Sequence, residues 1–417
     1  MVKPGYKQTE IGIIPEDWEV ISLGEIASVK TGPFGSALHA EDYVQSGTPI
    51  ITVEHLGESC ISRQNLPLVS DEDKKRLSAY TLHTGDIVFS RVGSVDRNAY
   101  VTEAEDGWLF SGRLLRIRVS DTRCISKYLS FFFKDTRIKS KVREIAVGQT
   151  MASLNTKLLS SFSVCLPQLS DQQRIAEALS DMDELIASLE KLIAKKKAVK
   201  QGAMQELLTG KRRLPGFSGE WKILFLSEIG HFKKGTGINR ADANSGKLPA
   251  VRYGELYTKH GNYVKEYYSH ISFDVAQTAV PVTYGAILFA ASGETKEEIG
   301  KCAAIIDDHI VYAGGDILIF VPDKPIHPVF FGTLLNTPEV CKQKAQWGQG
   351  DAIVHIHADS LSKIRVTIPD YEEQTAIAEA LLSTDREIDL LETEVTKARQ
   401  IKQGMMQQLL TGKIRLV

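Results

Sequence analysis

Cysteine is scarce in this chain of 417 residues: Cys60, Cys124, Cys165, Cys302 and Cys341 are scattered, odd in number, and form no C-x-x-C pair. That spacing argues against a disulfide frame and a zinc ribbon, and it favours a reducing, cytoplasmic setting. Long apolar runs are missing as well. The longest, such as Ala286 to Ala291 and Ile317 to Val321, fall far short of a membrane span. Met1 to Trp18 is mixed and polar, without the cationic start and apolar core of a signal peptide. Nor is one charge sign in excess. With 50 Lys+Arg against 52 Asp+Glu the net charge is −2, which counts mildly against a stand-alone nucleic-acid binder. What remains, at 43% hydrophobic and 24% charged residues, is an ordinary globular composition on a chain too long for one domain.

Catalytic signatures are equally thin. No Asn/Asp-Pro-Pro-aromatic motif of amino-methyltransferases occurs. Gly293 to Gly300-Lys301 resembles a phosphate loop, but six residues separate its glycines and Cys302 stands where Ser/Thr is needed. His355-x-His357 with Asp359 can be drawn as a metal site, yet no third ligand follows at a convincing spacing, so polar strand-edge histidines are expected.

The chain does contain a repeat. Residues 200–214, KQGAMQELLTGKRRL, return at 402–416 as KQGMMQQLLTGKIRL. The same offset of 202 pairs Pro167 with Pro369, Gln172 with Gln374, Ile175-Ala176-Glu177-Ala178-Leu179 with Ile377-Ala378-Glu379-Ala380-Leu381, and Asp183 with Asp385. A duplicated protein is implied, in which the connecting helices kept their sequence and the globular parts diverged. Apolar residues at Ile175, Leu179, Met182, Ile186, Leu189 and Ile193 alternate in steps of four and three, and so do Ile377, Leu381, Thr384, Ile388, Leu391, Val395, Ala398, Met405 and Leu409. So narrow a seam is buried only by another helix, and two copies in one chain most simply bury each other as an antiparallel coiled coil. Ser170 or Asp171 is the expected first N-cap, and Gly210 and Gly412 are the expected left-handed stops.

The organisation predicted is therefore a pseudo-twofold α/β protein. Globular parts at 1–166 and 213–368, of mixed α/β fold, alternate with helical segments at 167–212 and 369–417. Expected strands are Ile50–Val53, Asp86–Phe89, Leu114–Val119 and Ser163–Leu166, then Ala286–Ala291, Ala303–Ile306, Ile317–Val321 and Lys363–Ile368. Faint echoes tie the halves together: Thr84-Gly85-Asp86-Ile87-Val88-Phe89 resembles Tyr284-Gly285-Ala286-Ile287-Leu288-Phe289, although Ala286 departs from Asp86. Lys191, Lys195, Lys196, Lys197, Lys200, Lys211, Arg212 and Arg213 crowd the first repeat, where a solvated helix face is the plain reading.

Each half ends in Pro, Gln, Ile-Ala and Leu, followed by a helix closing on Leu-Leu-Thr-Gly-Lys: Pro167, Gln172 or Gln173, Ile175-Ala176, Leu179 and Leu207 to Lys211, then Pro369, Gln374, Ile377-Ala378, Leu381 and Leu409 to Lys413. With Ile13-Ile14-Pro15-Glu16-Asp17-Trp18 and the Gly85-Asp86-Ile87 turn, this pattern resembles the specificity subunit of type I restriction-modification enzymes along the whole chain. The resemblance implies two target-recognition domains, each reading half of a split site in double-stranded DNA, held apart by the coiled coil. It implies a chain without catalysis or cofactor of its own. Two modification subunits carrying S-adenosylmethionine would dock on it, motor-nuclease restriction subunits would join them, and no membrane is involved.

Arg and Lys suit guanine and Asn and Gln suit adenine in the major groove, and recognition loops carry such residues beside glycine. The best cluster in the first domain is Lys30, Ser36, Arg91, Arg97 and Arg113; in the second it is Lys233, Lys234, Arg252, Lys259, Lys296 and Gln349. Tyr253, Tyr257, Tyr263, Tyr267 and Tyr268, interleaved with Arg252, Lys259 and Lys265, look like a groove-facing surface, with half of the tyrosines expected in the core. For partner docking, the repeated Lys200-Gln201 and Lys402-Gln403 are expected to be exposed. Two other classes stay open: a coiled-coil adaptor without DNA specificity, and an enzyme with a degenerate nuclease or methyltransferase site.

Overall fold

The computed structural model describes residues 3–33, 38–57, 60–146, 152–350 and 353–416. The chain forms two compact units, Met1–Lys191 with Thr393–Val417, and Leu192–Glu392. Both are mixed α/β. Two long helices, Leu169–Leu207 and Tyr371–Leu409, are each divided between the units. A narrow helical seam has no core of its own, so each portion is counted with the domain it packs on.

In the first unit β1 (Ala27–Thr31), β2 (Ile87–Ser90), β3 (Asn98–Tyr100) and β4 (Leu114–Val119) form an antiparallel sheet in the order β1-β4-β2-β3. In the second, β5 (Gly230–Lys234), β6 (Ile287–Ala290), β7 (Cys302–Ala304) and β8 (Ile317–Pro322) repeat it as β5-β8-β6-β7. A second sheet in each unit contains one parallel pair, Thr48–Ile51 beside Leu109–Phe110 and Leu248–Val251 beside Val311–Ala313. The central strands are almost wholly apolar because helices and loops cover both faces: all four residues of β2, of which only Ser90 is polar, and all four of β6 are buried. In the first unit the helix Ser126–Lys134 buries Tyr128, Leu129, Phe131, Phe132 and Phe133 in that core.

The Asp86/Ala286 departure leaves the turn unchanged. Gly85 and Gly285 take φ 95 and 87, and their amides reach Val101 O at 3.0 Å and Ile305 O at 2.9 Å. The carboxylate of Asp86 is engaged elsewhere. It accepts from Arg118 at 2.6 and 2.7 Å and from the His83 amide at 2.8 Å, and holds the Arg118 guanidinium above its ordinary pKa. In the second unit the same place is open, a groove lined by Ala286, Ile319 and Val321 with Tyr284 and Tyr371.

The repeated glutamine pins each long helix to its own domain. Gln172, fully buried, accepts from the Ile125 amide and donates to Arg123 O and Pro167 O, all at 2.8 Å. Gln374 accepts from the His327 amide at 3.1 Å and donates to Pro369 O at 3.0 Å. The first helix starts at Leu169, ahead of the expected caps, because the Gln168 carbonyl already receives the Asp171 and Gln172 amides. Along the seam Ile175, Leu179, Ile186, Ile377, Leu381, Ile388, Val395, Ala398 and Leu409 are buried. Both helices end on a left-handed glycine, Gly210 at φ 68 and Gly412 at φ 65.

Within each unit the helical portions run antiparallel and are laced by ion pairs. In the first unit Asp183 meets Lys402 and Glu190 meets Arg399, both at 2.5 Å. In the second, Asp385 meets Lys200 and Glu387 meets Lys196 at 2.5 Å, and Glu392 meets Lys197 at 2.6 Å. The basic run is therefore not simply a solvated face: four of its members, Lys196, Lys197, Lys200 and Arg213, bind the facing helix.

Candidate nucleic-acid interface

Antiparallel pairing brings alternate strand ends together, so each sheet gathers four strand ends, and the three loops that serve them, at one edge. In the first unit these loops leave β1 and β2 and enter β3 and β4. Three main-chain bonds tie them: Gly32 N to Leu114 O at 3.1 Å, Arg91 N to Arg113 O at 2.9 Å, and Ser90 N to Arg97 O at 2.8 Å. Sequence-distant Arg91, Arg97 and Arg113 thereby share one edge, with Lys30 just inside it on β1. The opposite end runs into the segment that carries Arg123 and Ile125 to Gln172 of the long helix, whereas at the cationic edge Arg113 is exposed and Arg91 and Arg97 are half-buried.

These cations differ in freedom. Lys30 Nζ donates to Ala79 O at 2.9 Å and lies 4.8 Å from the Tyr80 ring centroid. Arg91 donates to Gly112 O at 3.2 Å, and Arg97 donates to Leu56 O. Arg113 is exposed, and its side chain has no hydrogen bond or ion pair among the described residues. Ser36 lies outside the described residues.

The second unit repeats the edge. Gly235 N reaches Ile317 O at 2.8 Å, Ala291 N reaches Asp316 O at 2.8 Å, and Ala290 N reaches Lys301 O at 2.9 Å. Lys233 and Lys234 close β5 there, exposed. Gln349 joins through main-chain bonds with His355, whose strand Val354–His355 pairs Ser292–Gly293. Lys296 is exposed on the loop after Gly293. His355 Nδ1 is 3.0 Å from Ser292 Oγ, and His357 caps the short helix Ala358–Leu361.

Several expectations need correction. Arg252 faces inward, held by Ser269 Oγ at 2.9 Å and Glu255 at 3.2 Å, because it precedes the helix Tyr253–Thr258 whose Glu255 is buried. Lys259, by contrast, remains exposed, over Tyr268 at 5.2 Å from the ring centroid. The tyrosine strip is not one groove-facing surface: Tyr263 donates to Asp385 at 2.6 Å and Lys265 pairs with Asp389 at 2.7 Å, so this part of the strip holds the long helix. Lys200 and Lys402 are not exposed docking residues either. Their side chains are 21% and 13% accessible, drawn in by Asp385 and Asp183. Gln201 and Gln403 beside them do remain exposed.

Sequence reading missed Asp316 and Lys301, the positional counterparts of Arg113 and Arg97. The strand runs Leu114-Leu115-Arg116-Ile117 and Ile317-Leu318-Ile319-Phe320 could have aligned them, but at an offset of 203 instead of the helices' 202.

Comparison with known proteins gives a consistent picture. Residues 15–200 and 218–400 each match the family model described as type I restriction modification DNA specificity domain. Two curated relatives come from Methanocaldococcus jannaschii. The putative type I restriction enzyme MjaX specificity subunit is 27% identical over 99% of this chain and 97% of its own length. The type I restriction enzyme MjaVIII specificity subunit is 24% identical over 97% and 94%. Among solved structures, the type I restriction-modification S subunit from M. genitalium is similar in fold, with a TM-score of 0.60 at 14% identity over 94% of this chain and 96% of that one.

Proposed function

Because the chain belongs to the type I restriction-modification DNA specificity family, and is thus a non-catalytic recognition subunit, we propose that its two domains read the two halves of a split DNA site with the edges described above. One observation carries this reading. The same main-chain bonds build both edges, while the side chains they present differ: Arg91, Arg97 and Arg113 in one, Ala291, Lys301 and Asp316 in the other. A constant frame with variable tips suits two readers of unlike sequence.

The long helices set the distance between the half-sites. At 39 residues each, a helix is roughly 58 Å long, on the scale of a bipartite site with an unread spacer. Two modification subunits, which bring the S-adenosylmethionine and methylate adenine, dock on the repeated helical segments, since two copies of one partner need two similar surfaces. Exposed Gln201-Gly202 and Gln403-Gly404 are the candidate contacts, and a Cβ added at either glycine meets nothing within 4 Å. Motor-nuclease subunits complete the restriction assembly, in the cytoplasm. The near-neutral charge is then no obstacle, because the modification subunits supply phosphate contacts around the duplex.

The test combines purified chain, S-adenosylmethionine and DNA, with and without the cognate modification subunit. Site-specific, salt-sensitive methylation is expected only in the mixture. Methylation by this chain alone, or methylation by the partner with unchanged specificity when this chain is left out, would refute the proposal.

A further inference from the structure

Arg113 and Asp316 occupy one position in the two domains. Each sits in a turn just before the strand that pairs with both β-neighbours. Ahead of that turn, Ser111 N bonds Ile51 O at 2.9 Å and Gly314 N bonds Val251 O at 3.0 Å. Beside it, the carbonyls of Arg113 and Asp316 receive the Arg91 and Ala291 amides at 2.9 and 2.8 Å. Both residues are exposed, and neither side chain has a hydrogen bond or ion pair among the described residues. The frame thus presents a cation in one domain and an anion at the matching point of the other.

A carboxylate facing a duplex is repelled by phosphate unless it accepts a hydrogen bond from a base. Guanine offers two acceptors in the major groove, adenine an acceptor beside a donor, and cytosine a donor alone. The acceptor-only carboxylate therefore matches cytosine, as the guanidinium fork matches guanine. Resting on the proposed reading role, we infer that Arg113 selects a guanine in the first half-site and Asp316 a cytosine in the second. The flanking main-chain bonds match while the side chains and the φ of the residue itself differ, Asp316 alone of the two being left-handed, so the two domains keep one frame and read different letters at this point.

Asp316 has φ 59, a left-handed conformation that Asp and Asn tolerate. Asp316→Asn therefore keeps the turn while replacing two acceptors by an acceptor and a donor, the pattern that suits adenine. The experiment is methylome sequencing of cells carrying the complete modification complex with wild-type chain, Asp316→Asn or Arg113→Ala, with melting curves confirming that each variant is folded. Asp316→Asn is expected to shift or broaden one position of the second half-site from cytosine towards adenine, by at least tenfold in relative methylation. Arg113→Ala is expected to relax one guanine of the first half-site. In both variants the other half-site and the spacer stay as in wild type. Unchanged letters, or a uniform gain or loss at every site, would show that these residues face phosphate or solvent and would overturn the inference. The reading role itself would survive that result as long as the wild-type motif is bipartite and depends on this chain; a motif that does not depend on the chain would remove both.

Discussion

Lys134 closes the helix Ser126–Lys134 with its amine 5.6 Å from the centroid of Phe131, and burial pushes its pKa down from 10.5 to about 8 despite the attraction of Asp183. A lysine whose folded pKa lies below its unfolded one penalises the folded state while it is charged. That penalty is present below about pH 8 and fades as pH rises towards 10.5. Lys134→Met should consequently stabilise the first unit by about 1–2 kcal/mol at pH 7, and the gain should vanish near pH 10. Melting curves of both proteins across this range decide it. A gain that persists undiminished at pH 10 would mean that methionine packing, not charge burial, is responsible. Residue-scale chemistry of this kind is hard to see in sequence. Lys134 follows three phenylalanines and reads as an ordinary helix-end cation, and only the fold brings Asp183 and Lys402 near it.

Elements were more legible than single residues. Each of the eight expected strands has an observed counterpart, because short apolar runs such as Ile317 to Val321 mark buried strands whatever their partners. The helical seam was legible for the same reason of periodicity. The lysine run was not, since a solvated lysine and one paired across a coil look alike until the facing helix is placed. Ion pairing gives a different expectation for Lys402 from that of a docking residue. Lys402→Asp sets two carboxylates against each other at a site only 13% and 19% accessible, and should cost roughly 2–3 kcal/mol, below the range for breaking a fully buried pair. Adding Asp183→Lys should restore most of that loss. Thermal unfolding of both single variants and the double variant measures the coupling. A double variant no more stable than Lys402→Asp would show that the pair does not hold the coil.

At the scale of the whole molecule, each helix closes with its left-handed glycine against a tryptophan, although the arginine that follows finds a different partner in each unit. In the second unit Gly210 packs against Trp221, and Arg213 grips Glu373 at 2.5 and 2.6 Å. In the first, Gly412 packs against Pro15 and Trp18, Tyr6 donates to Gly412 O at 2.9 Å, and Arg415 pairs with Asp17. The end of the second helix thus continues into the first domain as the first helix continues into the second domain. A permutant joining Val417 to Met1 and opened at Gly216, where φ is 91 and nothing crowds the residue, should fold and direct the same methylation. A soluble permutant that directs none would break the equivalence. Length can be varied separately from reading. A heptad added after Leu189 and after Leu391 keeps the seam in register and lengthens the coil by roughly 10 Å, so the spacer should grow by about three base pairs at a rise of about 3.4 Å each, provided the domains can follow the added twist.

The edge geometry of the domains was the least legible feature, because strands at residues 27, 87, 98 and 114 must pair before Arg91, Arg97 and Arg113 can meet. Whether that edge, domain by domain, reads DNA is settled most directly by replacing residues 1–166 with the corresponding domain of another family member and sequencing the methylome of cells carrying the chimera with its modification subunits. The expected motif keeps one half-site and the spacer and changes the other half-site. A motif altered in both halves, altered in spacer, or not altered at all would contradict two independent readers on a fixed ruler.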